Sequence, residues 1–275
     1  MQLIAAETGW ALERGRLFWT NNDGAHWADI TPHASGVMAD VFFLDRSRGW
    51  ALFSDSNDAA ELISFHVAAT TDSGRTWTVS TIKVPSQKPE ELDGHAWLDF
   101  VDPDHGWVVL HANSSSAFSW GLLLSTVDGG TTWNELPKGA PIAGRPVFVA
   151  PRDGWLSGNS GPKGMFRTHN GGNSWIEDGP AVDKLPPILP TNPGYGDVKF
   201  IDVKHGHVLI YLSPANDAEE SKGTAMLLYA TSDGGKTWVV DRTLTDHGAF
   251  SKSGAALSRL GASAILSGGT GTDSL

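Results

Sequence analysis

Apolar residues in this chain come in short runs rather than at helical spacing: VFFL at 41–44, WVVLH at 107–111, GLLLST at 121–126 and HVLIYL at 207–212. Each run is bounded by Gly, Asp, Asn or Pro. Short apolar runs closed off by turn formers predict many short strands. Residues recurring at i, i+3 and i+4 are hard to find, so the pattern predicts an all-β protein. The 32 Gly, 15 Pro and 12 Trp among 275 residues fit many tight turns and aromatic packing.

The runs are embedded in a repeat. The stretch TTDSGRTW at 70–77 recurs as TNNDGAHW at 20–27, TVDGGTTW at 126–133, THNGGNSW at 168–175 and TSDGGKTW at 231–238. A second motif precedes each: FLDRSRGW at 43–50, FVDPDHGW at 100–107, FVAPRDGW at 148–155, FIDVKHGH at 200–207, and a shortened AAETGW ending at Trp10. The unit is a strand, a Gly-Trp turn, a strand, a loop, a strand closed by the Asp-containing box, and a last strand. Four strands per roughly 40–60 residues is the arithmetic of a β-propeller blade. The expected repeats are 1–34, 35–90, 91–140, 141–190 and 191–245. Residues 246–275 are expected to hold a partial sixth, its first two strands within 252–270. The expectation is a single propeller domain over 1–275, with six to eight blades in the intact ring and a natural chain that continues further.

The pattern Ser/Thr-x-Asp-x-Gly-x-Thr-Trp resembles the Asp-box of BNR-repeat proteins. Combined with the preceding Phe-x-Asp-x-x-x-Gly-Trp, it resembles the repeat of the photosystem II stability and assembly factor family, over about residues 1–240. The resemblance implies a propeller that binds a protein partner. It names no partner here, because propellers host unrelated activities.

The box brings a carboxylate, hydroxyls and an indole together, as an active site does. The copies argue otherwise. In the first and fourth, Asn22 and Asn170 stand where the others have Asp72, Asp128 and Asp233. Asn accepts the same hydrogen bonds but cannot act as a general acid or base. The Asp is therefore expected to hold a turn by accepting N–H groups two or three residues on. Gly24, Gly74, Gly130, Gly172 and Gly235 are expected to supply positive φ. Trp27, Trp77, Trp133, Trp175 and Trp238 are expected to drop into the core. The same reasoning makes Asp45, Asp102 and Asp202 turn formers, with Ala150 in the fourth copy. None of the boxes has the alternating oxygen ligands of a calcium loop.

With 20 Lys plus Arg against 31 Asp plus Glu, the net charge of −11 argues against nucleic acid or an anionic membrane as partner. There are no cysteines, which excludes disulfides and thiolate chemistry. No apolar stretch reaches membrane-spanning length, and the N-terminus lacks a basic region and long apolar run of a leader. The compartment is expected to be extracytoplasmic if the full gene encodes such a leader, and cytoplasmic otherwise. No cofactor or metal is expected, and the chain is expected to be a monomer.

Antiparallel blades place the Gly-Trp turn and the box at one end and the irregular loops at the other. Those loops include 54–62, 113–119, 213–223, 85–96, 136–145, 178–197 and 241–253. Any ligand is expected on this long-loop face or at the mouth of the central channel. Trp97 and Trp120, outside the repeat, could stack on a protein or carbohydrate partner. Arg14, Arg16, Arg145 and Arg242 are expected to project the same way, and Tyr195 is a further candidate. The loop carboxylates Asp55, Asp58, Glu90, Glu91, Asp93, Asp217, Glu219 and Glu220 read as solvated charge. His95 and His247 lack the paired spacing of a metal site. No catalytic residue is assigned. The second class is a sialidase-type glycosidase, with Tyr195, Tyr211 or Tyr229 as nucleophile and Arg14, Arg145 and Arg242 as the carboxylate grip. Its N-terminal Arg-Ile-Pro signature is missing, and GRPVF at 144–148 is a misplaced echo.

Overall fold

The computed structural model of the chain describes residues 2–57, 62–84, 92–112, 120–158, 164–180, 191–196, 198–214, 225–245, 255–257 and 266–268. For a few residues at loop edges and all those beyond 241, the backbone alone is described.

Every regular element among them is a strand. The first sheet runs β1 (Gln2–Ala5), β2 (Thr8–Glu13), β3 (Arg16–Thr20) and β4 (Ala28–Asp29). The second is β5 (Val37–Phe43), β6 (Gly49–Asn57), β7 (Leu62–Thr70) and β8 (Thr78–Ile82). The third is β9 (Leu92–Phe100), β10 (Gly106–Ala112), β11 (Trp120–Thr126) and β12 (Asn134–Glu135). The fourth is β13 (Pro146–Phe148), β14 (Gly154–Ser157), β15 (Met165–Thr168) and β16 (Ile176–Glu177).

In the fifth sheet, β17 (Thr191–Tyr195) and β18 (Lys199–Phe200) both pair β19 (Gly206–Pro214), followed by β20 (Ala225–Thr231) and β21 (Val239–Thr245). The inner edge of that sheet is thus one strand in two pieces. Last, β22 (Ala255–Leu257) and β23 (Leu266–Gly268) pair antiparallel, within the span read as two strands of a partial sixth blade. The fold is all-β, with five four-stranded antiparallel blades of a β-propeller.

The residues fall into two compact units, one of Met1–Gly154 with Thr168–Ser174 and one of Trp155–Arg167 with Trp175–Leu275. Within the first, the middle strands are nearly all buried: GWVVLHA in β10 and WGLLLST in β11. Strands covered on both faces lose polar alternation, which is why these runs looked continuous in the sequence. The outermost strands β4 and β12 are two residues long. Short outer strands limit pairing with other chains.

Gly-Trp turns and Phe residues interlock. A Cβ on Gly49, Gly106 or Gly154 would sit 2.4–2.5 Å from the ring of Phe43, Phe100 or Phe148, so only glycine fits beneath that ring. The following Trp reaches the next sheet. Trp50 stacks on Phe100 at 3.7 Å and 5°, and Trp107 on Phe148 at 3.5 Å and 5°. In the second unit, Trp155 stacks on Phe200 at 4.0 Å and 21°. Parallel aromatic faces in a dry setting add to area burial. These tryptophans, not those of the Asp-box, are the deeply buried ones. Trp27 is 38% exposed, and Trp77, Trp133, Trp175 and Trp238 are half-buried, which corrects the expectation that they drop into the core. Trp77 and Trp133 instead pack on the margin of the core, edge-on to Phe43 and Phe100.

Candidate functional site

The five boxes share one hydrogen-bond scheme. The first-position Thr hydroxyl donates to the Asp or Asn Oδ1 at 3.0, 2.9, 2.7, 3.0 and 2.9 Å in chain order. The same hydroxyl accepts the N–H of Gly24, Gly74, Gly130, Gly172 or Gly235 at 2.9–3.0 Å. The seventh N–H donates to Oδ1 at 2.9 Å in all five. The accepted N–H is thus four residues on, not two or three. The cause is a double left-handed turn. The fifth-position glycines have φ between 81° and 92°, and the fourth position is also positive, including Asp23 and Ser73. By contrast, Asp45, Asp102 and Asp202 accept N–H groups two and three residues on.

Asn is accommodated by reversing one bond. Thr76, Thr132 and Thr237 donate their hydroxyls to the second carboxylate oxygen at 2.6–2.7 Å. In the fourth box Asn170 Nδ2 instead donates to Ser174 Oγ at 2.9 Å, and in the first Asn22 Nδ2 lies 2.9 Å from His26 Nδ1. Each box is also tied to the Gly-Trp turn of its own sheet. Its fourth N–H donates to the carbonyl of Glu7, Ser47, Asp104, Arg152 or Lys204. Both turn types therefore share one end of each sheet.

These carboxylates are held ionised by the turns. The Thr76 hydroxyl and N–H lower Asp72 to about 2, the Thr237 hydroxyl and N–H do the same for Asp233, and Thr132 lowers Asp128. A folded-state pKa below the unfolded value gives stability that is complete above about pH 4 and is lost as pH falls toward 2. We expect thermal stability to drop between pH 4 and 2, and the triple variant Asp72→Asn, Asp128→Asn, Asp233→Asn to show a visibly shallower drop. Melting temperature measured from pH 2 to 6 checks this; an unchanged slope in the variant would contradict it.

A cleft of about 510 Å3 opens at this same end of the first unit, lined by Arg48, Trp50, Thr76, Asp104, Asp128 and Thr131 among others. Its polar rim is made of turn residues already engaged with one another. It lies at the end opposite to the long-loop face where a ligand was expected.

The candidates named from the sequence have different surroundings. Arg14 is exposed at the tip of the β2–β3 hairpin, where Arg14 and Gly15 both have positive φ, and Arg16 pairs with Asp29. Arg145 Nη2 donates to Asp40 Oδ1 at 2.7 Å, so its guanidinium holds a buried carboxylate. Trp120 is half-buried at the start of β11 against the core shared by the second and third sheets. Trp97 is half-buried in β9, edge-on to His111 at 6.4 Å. In the second unit, Tyr195 is 6% exposed, and burial, then Tyr229, pushes its hydroxyl pKa up. Asp58, Glu90, Glu91, Asp217, Glu219, Glu220, His247 and much of the long loops lie outside the described residues, as does the Arg242 side chain.

Sequence reasoning missed two groups of residues. Buried Asp40 accepts the N–H of Leu98 at 2.9 Å and of Val41 at 2.9 Å besides Arg145, and buried Asp99 accepts the N–H of Phe148 at 2.6 Å. Both are carboxylates on inner strands reaching backbone of a following sheet. The second group is Asp93, His95 and His111, brought together across β9 and β10. The signal for the first was an acid inside an apolar strand, which must find donors.

No protein-family model matches the chain. In sequence it is similar to the photosystem II assembly lipoprotein Ycf48 of Synechococcus sp. (strain CC9902), 25% identical over 152 residues that make up 54% of this chain. The match spans 39% of that relative's length. The structure of an ancestral GH74 enzyme aligns over 87% of this chain and 29% of its own, at 12% identity with a TM-score of 0.52. A structure of YCF48 bound to D1 peptide aligns over 87% and 80%, at 15% identity with a TM-score of 0.47. The structural likeness speaks to fold alone. The chain is a β-propeller, and its Asp-containing boxes and Gly-Trp turns resemble the photosystem II stability and assembly factor repeats.

Proposed function

We propose that the chain is a non-catalytic binding and assembly scaffold that engages a protein partner at the long-loop end of its sheets. The observation that carries this reading is the use of the repeated carboxylates. Asp72, Asp128 and Asp233 accept hydrogen bonds within their own turns, and Asn fills the same place in two copies. The similarity to a relative named as an assembly lipoprotein supports the same class. Residues outside the repeat, Trp97 and Trp120, offer the aromatic area that partners commonly bury.

The sialidase-type alternative fares less well. A tyrosine nucleophile needs its proton removed, whereas burial raises the pKa of both Tyr195 and Tyr229. An arginine grip needs guanidinium groups aimed at a ligand, whereas Arg145 is engaged by Asp40. The test is paired. We expect no turnover of a fluorogenic sialoside or of xyloglucan by the purified chain, and chemical cross-linking in extracts of the source cell to join a protein near Trp97 and Trp120. Sialoside hydrolysis abolished by Tyr195→Phe would overturn the proposal.

A further inference from the structure

We propose that Asp93, His95 and His111 form a binding site for a late first-row divalent transition-metal ion such as Zn2+ or Ni2+. The sequence shows no metal spacing at His95 or His247; His111, 16 residues from His95, meets it only through strand pairing. The β9–β10 register runs regularly from Gly106↔Phe100 to Leu110↔Ala96 and resumes at Ala112↔Leu92. Between those last rungs, His111 alone on β10 faces Asp93, Gly94 and His95 on β9. Gly94 takes φ +83°, which lets the strand bulge there. The bulge brings two β9 side chains within reach of one β10 side chain.

The donor atoms already converge. Asp93 Oδ2 lies 2.6 Å from His111 Nδ1, Asp93 Oδ1 lies 3.1 Å from His95 Nδ1, and one ligand atom from each residue lies within 4.8 Å of the others. Tetrahedral Zn2+ with bonds of about 2.0–2.1 Å spaces its donors about 3.3 Å apart, so the Asp93–His95 pair is near that spacing, the Asp93–His111 pair must open by about 0.7 Å, and the two imidazoles close up by a ring movement. His95 has room for it, being 75% exposed at the side chain, while Asp93 and His111 are each 21% exposed and held in place.

A separate observation points to a cation. Buried His111 Nδ1 has no aligned hydrogen bond, despite its 2.6 Å approach to Asp93. A shared metal ion would satisfy both atoms. Imidazole plus carboxylate favours Zn2+, Ni2+, Cu2+ or Co2+ over Mg2+, and three protein ligands leave a position open to water.

The full chain offers its own comparison, since His105–Asp102, His169–Asp153 and His205–Asp202 are two-residue pairs of the same chemistry. Calorimetric titration with ZnCl2 and NiCl2 should show one ion bound per chain and no binding of MgCl2. His95→Ala, at an exposed position that leaves the fold intact, should weaken that ion at least ten-fold, as should His111→Gln. His169→Ala should change nothing. Cu2+ should quench tryptophan emission in the wild type and less in Trp97→Phe, because Trp97 packs against His111. The absence of a one-to-one event, or an event unchanged in His95→Ala and His111→Gln alike, would overturn the proposal.

Discussion

Replacing Trp107 with alanine is expected to destabilise the fold by about 3–5 kcal/mol, the usual range for truncating a buried tryptophan. Trp107 is 3% exposed and lies flat on Phe148 of the next sheet at 3.5 Å. Its Nε1–H donates to the Gly171 carbonyl of the next sheet's Asp-box at 3.0 Å. The variant would lose apolar burial, a stacked pair and a hydrogen bond, and leave a cavity between two sheets that are not free to close over it. Trp107→Phe should recover most of the loss, because only the indole N–H and part of the ring are then missing. Urea denaturation of the wild type and both variants measures this. A loss below about 1 kcal/mol for Trp107→Ala would mean the sheets are not held by these indoles.

The second large effect is expected at Asp40. Its carboxylate accepts from the Leu98 and Val41 N–H groups and from Arg145, so Asp40→Ala strands buried donors. At about 1–3 kcal/mol per abandoned buried donor, and with Arg145 discounted for its partial exposure, the loss is expected to be about 2–4 kcal/mol. The Arg145→Ala single variant should lose less, because the Leu98 N–H keeps its acceptor. The double variant should be less destabilised than the sum of the singles, since both single variants remove the same Asp40–Arg145 bond. Denaturation midpoints of the four proteins measure the coupling; strict additivity would contradict a direct Asp40–Arg145 interaction.

How far the sequence foresaw this depends on the range of each interaction. The Asp-box was legible because its chemistry is local: Thr70, Asp72, Gly74 and Thr76 bond within seven residues, and five copies show which positions matter. The Gly-Trp turns were legible for the same reason, and the spacing of the two motifs carried the blade architecture. The double left-handed turn was only partly legible: Gly129, Gly171 and Gly234 signal it at the fourth position, whereas Asp23 and Ser73 in the other two copies do not.

The longer-range residues show the limit more sharply. Arg145 looked available for a ligand because its partner, Asp40, is 105 residues away in the chain. His111 drew no attention because its meeting with Asp93 and His95 depends on strand register and on a bulge at Gly94. Spacing along the chain does not encode such cross-strand contacts. They depend on register, which one extra residue resets.

The central claim is that the repeated residues build the blades and the unrepeated ones bind. It is tested most directly by comparing two variants for partner cross-linking at pH 7. One carries Asp72→Asn, Asp128→Asn and Asp233→Asn, and the other Trp97→Ala and Trp120→Ala. We predict that the triple variant keeps the wild-type yield of cross-linked partner, while the tryptophan pair, still folded by circular dichroism, loses at least ten-fold. The reverse outcome, with binding lost in the Asn variant and kept without the two tryptophans, would contradict the account.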